Sequence, residues 1–168
     1  MIHGPALVLG DLVNTDVLHP SRFYSLDNAR VRSGFLKGVE GRETTGTLDL
    51  SGRLVVAGES FGIGSSRETG ARVFLLAGIQ AIVAVSFARI FHRNVLNLGL
   101  PAVACPGLKS HQPEDGEAVS LDLEGCTLSF GAHTLRTERL DPHWKAVLKA
   151  GGLLPYLGLA SDEEPTSA

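Results

Sequence analysis

The sequence predicts a mixed β/α domain of the α/β class. Short branched-apolar runs alternate with helical stripes between residues 53 and 105. After residue 118 the pattern changes to alternating strands and a hairpin, and the glycines fall at the joints between these segments rather than in one tract. A chain of 168 residues fits one domain, here expected over 1–160, followed by a disordered acidic tail over 161–168.

Ala6 to Leu9 reads as a strand closed by Gly10-Asp11 and leading into a polar loop, Asn14-Thr15-Asp16. His19-Pro20-Ser21 breaks the chain again. Asn28 to Leu36 suits a helix, and the stretch on to Gly46 reads as a long, partly helical surface loop, functional or mobile. Arg53 to Ala57 is a strand, Gly58 to Gly64 a tight connection, and Arg67 to Ala77 a helix. That helix carries Ala71, Phe74, Leu75 and Gly78 as its stripe and stops at Gly78. Ala81 to Val85 is continuously apolar, as in a strand buried on both faces. Ala88 to Leu98 predicts a helix with Ile90, Phe91, Val95 and Leu98 inward, and Pro101 to Cys105 a further strand. Ala118 to Leu123 alternates, and Cys126 to Phe130 with His133 to Arg136 flank a Gly131-Ala132 hairpin turn. Asp141-Pro142 starts a last helix with Trp144, Val147 and Leu148 inward, ended by Gly151-Gly152.

Composition excludes several classes of function. The balance of 43% hydrophobic and 20% charged residues is that of an ordinary globular chain. A net charge of −3, from 15 basic and 18 acidic residues, offers no polyelectrolyte surface, so no nucleic-acid partner is expected. No apolar run reaches the ~18 residues of a membrane span, and Met1-Ile2-His3-Gly4-Pro5 lacks the regions of a signal peptide. The expectation is a cytoplasmic protein with no membrane partner. The two cysteines, Cys105 and Cys126, have no CxxC or Cys/His company and cannot hold an iron–sulfur cluster or a zinc ion. The six histidines show no metal-ligand spacing, so no metal is expected in this chain.

The chemistry concentrates in Val55-Val56-Ala57-Gly58-Glu59-Ser60-Phe61-Gly62-Ile63-Gly64-Ser65-Ser66-Arg67-Glu68. Gly62 and Gly64 let backbone approach a ligand closely. The helix start that follows has free N–H groups and partial positive charge, a place for a carboxylate or phosphate. Arg67 can grip a carboxylate with two parallel hydrogen bonds, and a serine there can act as a base if its alkoxide is stabilised by N–H groups and cations. The bland reading is a capping box, Ser65-x-x-Glu68. The motif is neither GxGxxG nor a P-loop. Arg89 and Arg93, one turn apart, read as a solvated helix face, and Arg30 and Arg32 as loop arginines within possible reach of a carboxylate.

The run Gly58 to Glu68 resembles the signature of the aconitase swivelling domain and of isopropylmalate isomerase small subunits. The block Gly78 to Phe91, the run Asn94 to Pro101 and the opening Gly10-Asp11-Leu12-Val13-Asn14-Thr15-Asp16 are similar to the same family, in the same order, over roughly residues 6 to 157. Ile63 stands where members often have cysteine, Thr69 where they have histidine, and His92 where tyrosine is common. The resemblance implies a swivelling three-layer β/β/α domain with mixed sheets, like the aconitase C-terminal domain. It implies an enzyme: the small subunit of a two-chain hydro-lyase that dehydrates and rehydrates a small hydroxy-carboxylate. The 4Fe–4S cluster would belong to a large iron–sulfur subunit, in a heterodimer or heterotetramer. Ser65 would be the catalytic base, Ser66, Arg67 and Gly64 would meet substrate, and Asp16 would lie at the active-site edge.

Arg22-Phe23-Tyr24-Ser25 looks like the family's specificity loop, with Ser25 at the selecting position. Serine cannot repay the desolvation of a third carboxylate, and Phe23 or Tyr24 can wall off an alkyl group. The expected substrate is therefore isopropylmalate, as in leucine biosynthesis, ahead of methylmalate, dimethylmalate or homocitrate. The competing class is a stand-alone anion-binding or regulatory module.

Overall fold

A computed structural model describes residues 1–45, 48–64 and 67–159. Among these residues seven strands, β1 (Ile2–Val8), β2 (Leu54–Ala57), β3 (Ala81–Ala84), β4 (Ala102–Ala104), β5 (Ala118–Asp122), β6 (Thr127–Phe130) and β7 (His133–Arg136), form one curled sheet in the order β4-β3-β2-β1-β5-β6-β7. The helices are α1 (Thr15–Leu18), α2 (Asn28–Ser33), α3 (Thr69–Leu76), α4 (Arg89–Asn97), α5 (Pro142–Ala150) and α6 (Leu153–Tyr156). This is the mixed α/β fold expected, with the two β layers continuous through a shared strand.

That strand is β1. Its first half, Ile2 to Pro5, pairs antiparallel with β5, and its second half, Ala6 to Val8, pairs parallel with β2. Pro5, which has no N–H to give, occupies the last antiparallel pair before the parallel partnership starts. The strand thus begins four residues ahead of the Ala6 expected. Its first half is concealed in sequence because Gly4 and Pro5 read as loop residues and the burial there only alternates between half-buried and exposed. On the other side β2, β3 and β4 pair in parallel register, linked through α3 and α4, and β2 and β3 are buried at every position. β5, β6 and β7 form an antiparallel meander in which Phe130 faces His133 across the Gly131 turn, where φ is +48°.

Between β1 and β2 the chain is more than a surface loop. It is partly helical, as expected, but it buries Val31, Phe35, Leu36 and Leu50 completely or nearly so. Phe35 meets Phe74 of α3 edge-on at 4.9 Å between ring centroids. Phe74 in turn contacts Phe61 at 6.1 Å and Phe91 at 5.9 Å, and Phe61 contacts Phe91 at 5.5 Å, all T-shaped. In α4 the buried stripe is Phe91, Val95 and Leu96, while Ile90 is half in water. At 3.6 residues per turn Ile90 sits about 100° round from Phe91, so a neighbour of the apolar stripe falls outside it. Leu75 of α3 is exposed for the same reason. Gly78 follows the end of α3 with φ +77°, and Asp141 caps α5 by accepting from His143 N at 2.8 Å, both as the sequence indicated.

Phe61 lies in the glycine loop yet is fully buried in this ring cluster. Phe61→Ala should therefore cost about 3–5 kcal/mol in denaturant unfolding; a loss under about 1 kcal/mol would contradict the packing.

Candidate active site

The parallel pairing of β1 and β2 does not stop at the strand ends. Leu9 N–H donates to Val56 O at 2.8 Å and Gly58 N–H to Gly10 O at 3.1 Å. Leu12 N–H then donates to Glu59 O at 2.8 Å, Gly62 N–H to Val13 O at 3.0 Å, and Thr15 N–H to Ile63 O at 2.7 Å. The Asp11 carboxylate accepts from Glu59 N–H at 2.7 Å. On the other flank Ser86 Oγ accepts from Ser60 N–H at 2.9 Å, its carbonyl accepts from Phe61 N–H at 2.9 Å, and Phe61 O accepts from Ala88 N–H at 2.9 Å. Loops after β1, β2 and β3 are thereby joined into one layer beyond the carboxyl ends of the parallel strands, where open α/β sheets bind ligands.

Close backbone approach is what the glycines here provide, and the nearest groups are the protein's own. At Gly62, φ +83°, a Cβ would lie 2.2 Å from the Phe91 ring, and at Gly64, φ +109°, 2.2 Å from Asn14 Oδ1. The capping-box reading rests on Ser65, which lies outside the described residues. α3 starts at Thr69 rather than Arg67, and Glu68 occupies the N-cap position with no side-chain cap hydrogen bond. Ser65 and Ser66, the expected base and its neighbour, lie outside the described residues.

Arg67 and Asp16 are brought together by the loop layer. Asn14 caps the one-turn helix α1, its side-chain oxygen accepting from Asp16 N–H at 2.8 Å. Arg67 Nη1 lies 3.7 Å from Asp16 Oδ1, with both side chains about half exposed. Tyr24 joins them: its hydroxyl donates to Asp16 Oδ1 at 3.1 Å, and its ring lies 4.7 Å from the Arg67 guanidinium carbon. Behind Tyr24 the His19 imidazole is stacked at 5.3 Å and 25°. Ser25 turns its hydroxyl to its own chain, accepting from Asp27 N–H at 3.0 Å. Arg30 donates to Arg22 O at 2.9 Å and so braces this loop. In sequence Tyr24 was only a candidate wall; its contact with Arg67 is between residues remote along the chain and leaves no periodic signal.

A second charged group lines the same layer. Lys109, on the short 3-10 turn Pro106–Lys109, is 2.6 Å from Glu59 Oε1, beside Asp11 and Gln112. The Glu59 hydrogen bond and charge raise the Lys109 pKa, on a well exposed side chain. Among the described residues no group of three His, Cys, Asp or Glu is placed to hold a metal. His92 has a structural place, 3.0 Å from Ala102 O and stacked on Phe87 at 4.6 Å. Arg89 and Arg93 are exposed on α4. Among the described residues no helix is long and apolar enough to cross a membrane.

An acid and an arginine presented at the carboxyl ends of parallel strands, in a mixed sheet pivoting on one strand, fit the aconitase type of C-terminal domain, and the sequence model of the aconitase C-terminal domain matches residues 23–106. The 3-isopropylmalate dehydratase small subunit of Pyrobaculum aerophilum is 39% identical over 163 residues, covering 93% of this chain and 96% of its own. That of Saccharolobus islandicus is 32% identical over 157 residues, covering 94% of each. The crystal structure of 3-isopropylmalate dehydratase (LeuD) from Methanocaldococcus jannaschii superposes with a TM-score of 0.84 at 34% identity, covering 94% of this chain and 93% of that one. The chain belongs to the family of 3-isopropylmalate dehydratase small subunits.

His19 is fully buried, with Nε2 2.9 Å from Val31 O and Nδ1 without a described hydrogen-bond partner. Burial pushes its pKa below the ordinary value of 6.5, against a weaker opposing pull from the Val31 carbonyl. The unfolded chain binds this proton below about pH 6.5 and the folded chain refuses it. The contribution to stability is thus complete above that pH and is lost as pH falls through the folded pKa. Unfolding in denaturant at pH 7.5 and 5.5 should show a larger loss in the wild type than in His19→Gln; equal losses would remove His19 as the cause.

Proposed function

We propose that this chain is the small subunit of a two-chain hydro-lyase acting on 3-isopropylmalate, and that the Asp16–Arg67 mouth is its half of the active site. The observation that carries the reading is the convergence of Arg67 and Asp16, from separate loops, beyond the carboxyl ends of β1 and β2. Arg67 binds the substrate carboxylate bordering the carbon that loses its proton, and Ser65 takes that proton as general base. Negative charge then spreads into the carboxylate, where the guanidinium stabilises it. Asp16 holds the edge of the site, Ser66 and the Gly64 backbone meet the substrate, and Ser25 leaves room for the alkyl group.

The cysteines of this chain, Cys105 and Cys126, are both buried and belong to no described ligand group, so they do not fit a cluster. The 4Fe–4S cluster would belong to the large subunit, where it would supply Lewis acidity toward the departing hydroxyl. The setting proposed for the pair is cytoplasmic.

Reconstitution with the large subunit tests it. kcat/KM should be highest for 3-isopropylmalate, with methylmalate behind, and a preference for homocitrate would overturn the substrate assignment. In the same pair Ser65→Ala should lower kcat by at least ~10²-fold. Arg67→Lys should raise KM and also lower kcat, since charge remains but the two-pronged geometry is lost. Near-normal turnover in Ser65→Ala would remove it as the base.

A further inference from the structure

We infer that Tyr24 is a positioning residue, fixing the Arg67 guanidinium and the Asp16 carboxylate relative to each other where the substrate carboxylate is to bind. This rests on the reading of the site given above. One side chain makes three contacts: its ring with the Arg67 guanidinium carbon at 4.7 Å, its hydroxyl with Asp16 Oδ1 at 3.1 Å, and its stacking on His19 at 5.3 Å. His19 is a fixed backing, fully buried and hydrogen-bonded to the backbone at Val31. Tyr24 therefore has one anchored neighbour and two half-exposed ones.

A cation sits over the face of an aromatic ring, and Tyr24 so fixes where the Arg67 guanidinium lies. Asp16 is an internal carboxylate that competes with substrate for it, because a close carboxylate–arginine pair is bidentate. It does not close that far: 3.7 Å to Nη1 is beyond hydrogen-bond length. Oδ1, the oxygen of that pair, instead accepts from the Tyr24 hydroxyl. Tyr24 thus fixes the guanidinium and restrains the internal carboxylate.

The two functions are separable by substitution. Tyr24→Leu removes the ring and the hydroxyl; Tyr24→Phe keeps the ring and frees Asp16. In the reconstituted pair Tyr24→Leu should raise KM for 3-isopropylmalate about 3- to 10-fold, with kcat changed less, and Tyr24→Phe should give an intermediate rise. In an Arg67→Lys background, Tyr24→Leu should add less than about twofold, since the partner it positions is gone. A KM unchanged in both variants, or losses that multiply in the double variant, would overturn the proposal. So would an equal fall of kcat and kcat/KM, which would mark a direct transition-state contact.

The full chain gives a readout independent of substrate. The Arg67 Nε–H resonance should lie upfield through the tyrosine ring current in the wild type and in Tyr24→Phe, and lose that shift in Tyr24→Leu. If the wild-type pair failed to turn over 3-isopropylmalate, the functional reading would fall and this resonance would still decide: a shift unmoved by Tyr24→Leu overturns the positioning role.

Discussion

The backbone ladder between residues 9–15 and 56–63 is the constraint on which the site depends. Two parallel strands normally part after their last pair, and the loops that follow are free to diverge. Here five backbone hydrogen bonds, from Leu9 to Thr15, carry the pairing on through the loops. α1 begins where the ladder ends, so Asp16 is placed by it, and Arg67 comes a few residues beyond Ile63, the ladder's last rung. The ladder brings their stretches of chain together and Tyr24 touches both side chains, so their 3.7 Å approach does not depend on mutual attraction alone. That matters because an exposed ion pair contributes only about 0–1 kcal/mol, too little to order two loops by itself.

Holding loops in this form has a cost. Leu12 and Ser60 adopt positive φ, at 53° and 51°, in addition to the glycines of the motif. A non-glycine residue in that region costs about 1–2 kcal/mol. Phe61 offsets it: burying such a side chain contributes about 1.5–3 kcal/mol, and its ring meets Phe74, Phe87 and Phe91. The glycine loop is thereby fastened to the core by one residue of its own. Fastening also explains the glycines without reference to any ligand, since Phe91 and Asn14 fill the space that side chains at 62 and 64 would need.

What the sequence makes legible follows from how local each cause is. β2 and β3 announce themselves because full burial on both faces requires an unbroken apolar run. The first half of β1 is hidden because its partner, β5, is far along the chain and because Gly4 and Pro5 carry loop propensity. α1 and α6 are single turns, too short for a 3.6-residue period to register. Val31, Phe35, Leu36 and Leu50 are buried in a stretch read largely as surface, or not read at all at Leu50, because their burial is imposed by residues remote along the chain, as Phe35 by Phe74 of α3. In the site, the motif residues Asp16 and Arg67 can be named from sequence, but that they meet cannot. Tyr24 is harder still: a cation over a ring has no spacing signature, and the hydroxyl that reaches Asp16 looks in sequence like any half-buried tyrosine.

The exposure of the charged pair bears on whether such a chain works alone. Arg67 and Asp16 keep 56% and 50% of their side-chain surface in water. Opposite charges about 4 Å apart attract by only ~1 kcal/mol in bulk water, and several times more once water is excluded. A guanidinium left this open is therefore a poor receptor for a small carboxylate, and a stand-alone anion-binding module built on it would be weak. The same segment also leaves Leu12, Val17 and Leu26 exposed, at 61%, 39% and 95%. A covering chain would remove that apolar surface from water and lower the dielectric around Arg67 in the same act. The weakness of the open site as an anion receptor, and its completeness as one half of a covered one, both favour the two-chain enzyme over the solitary module.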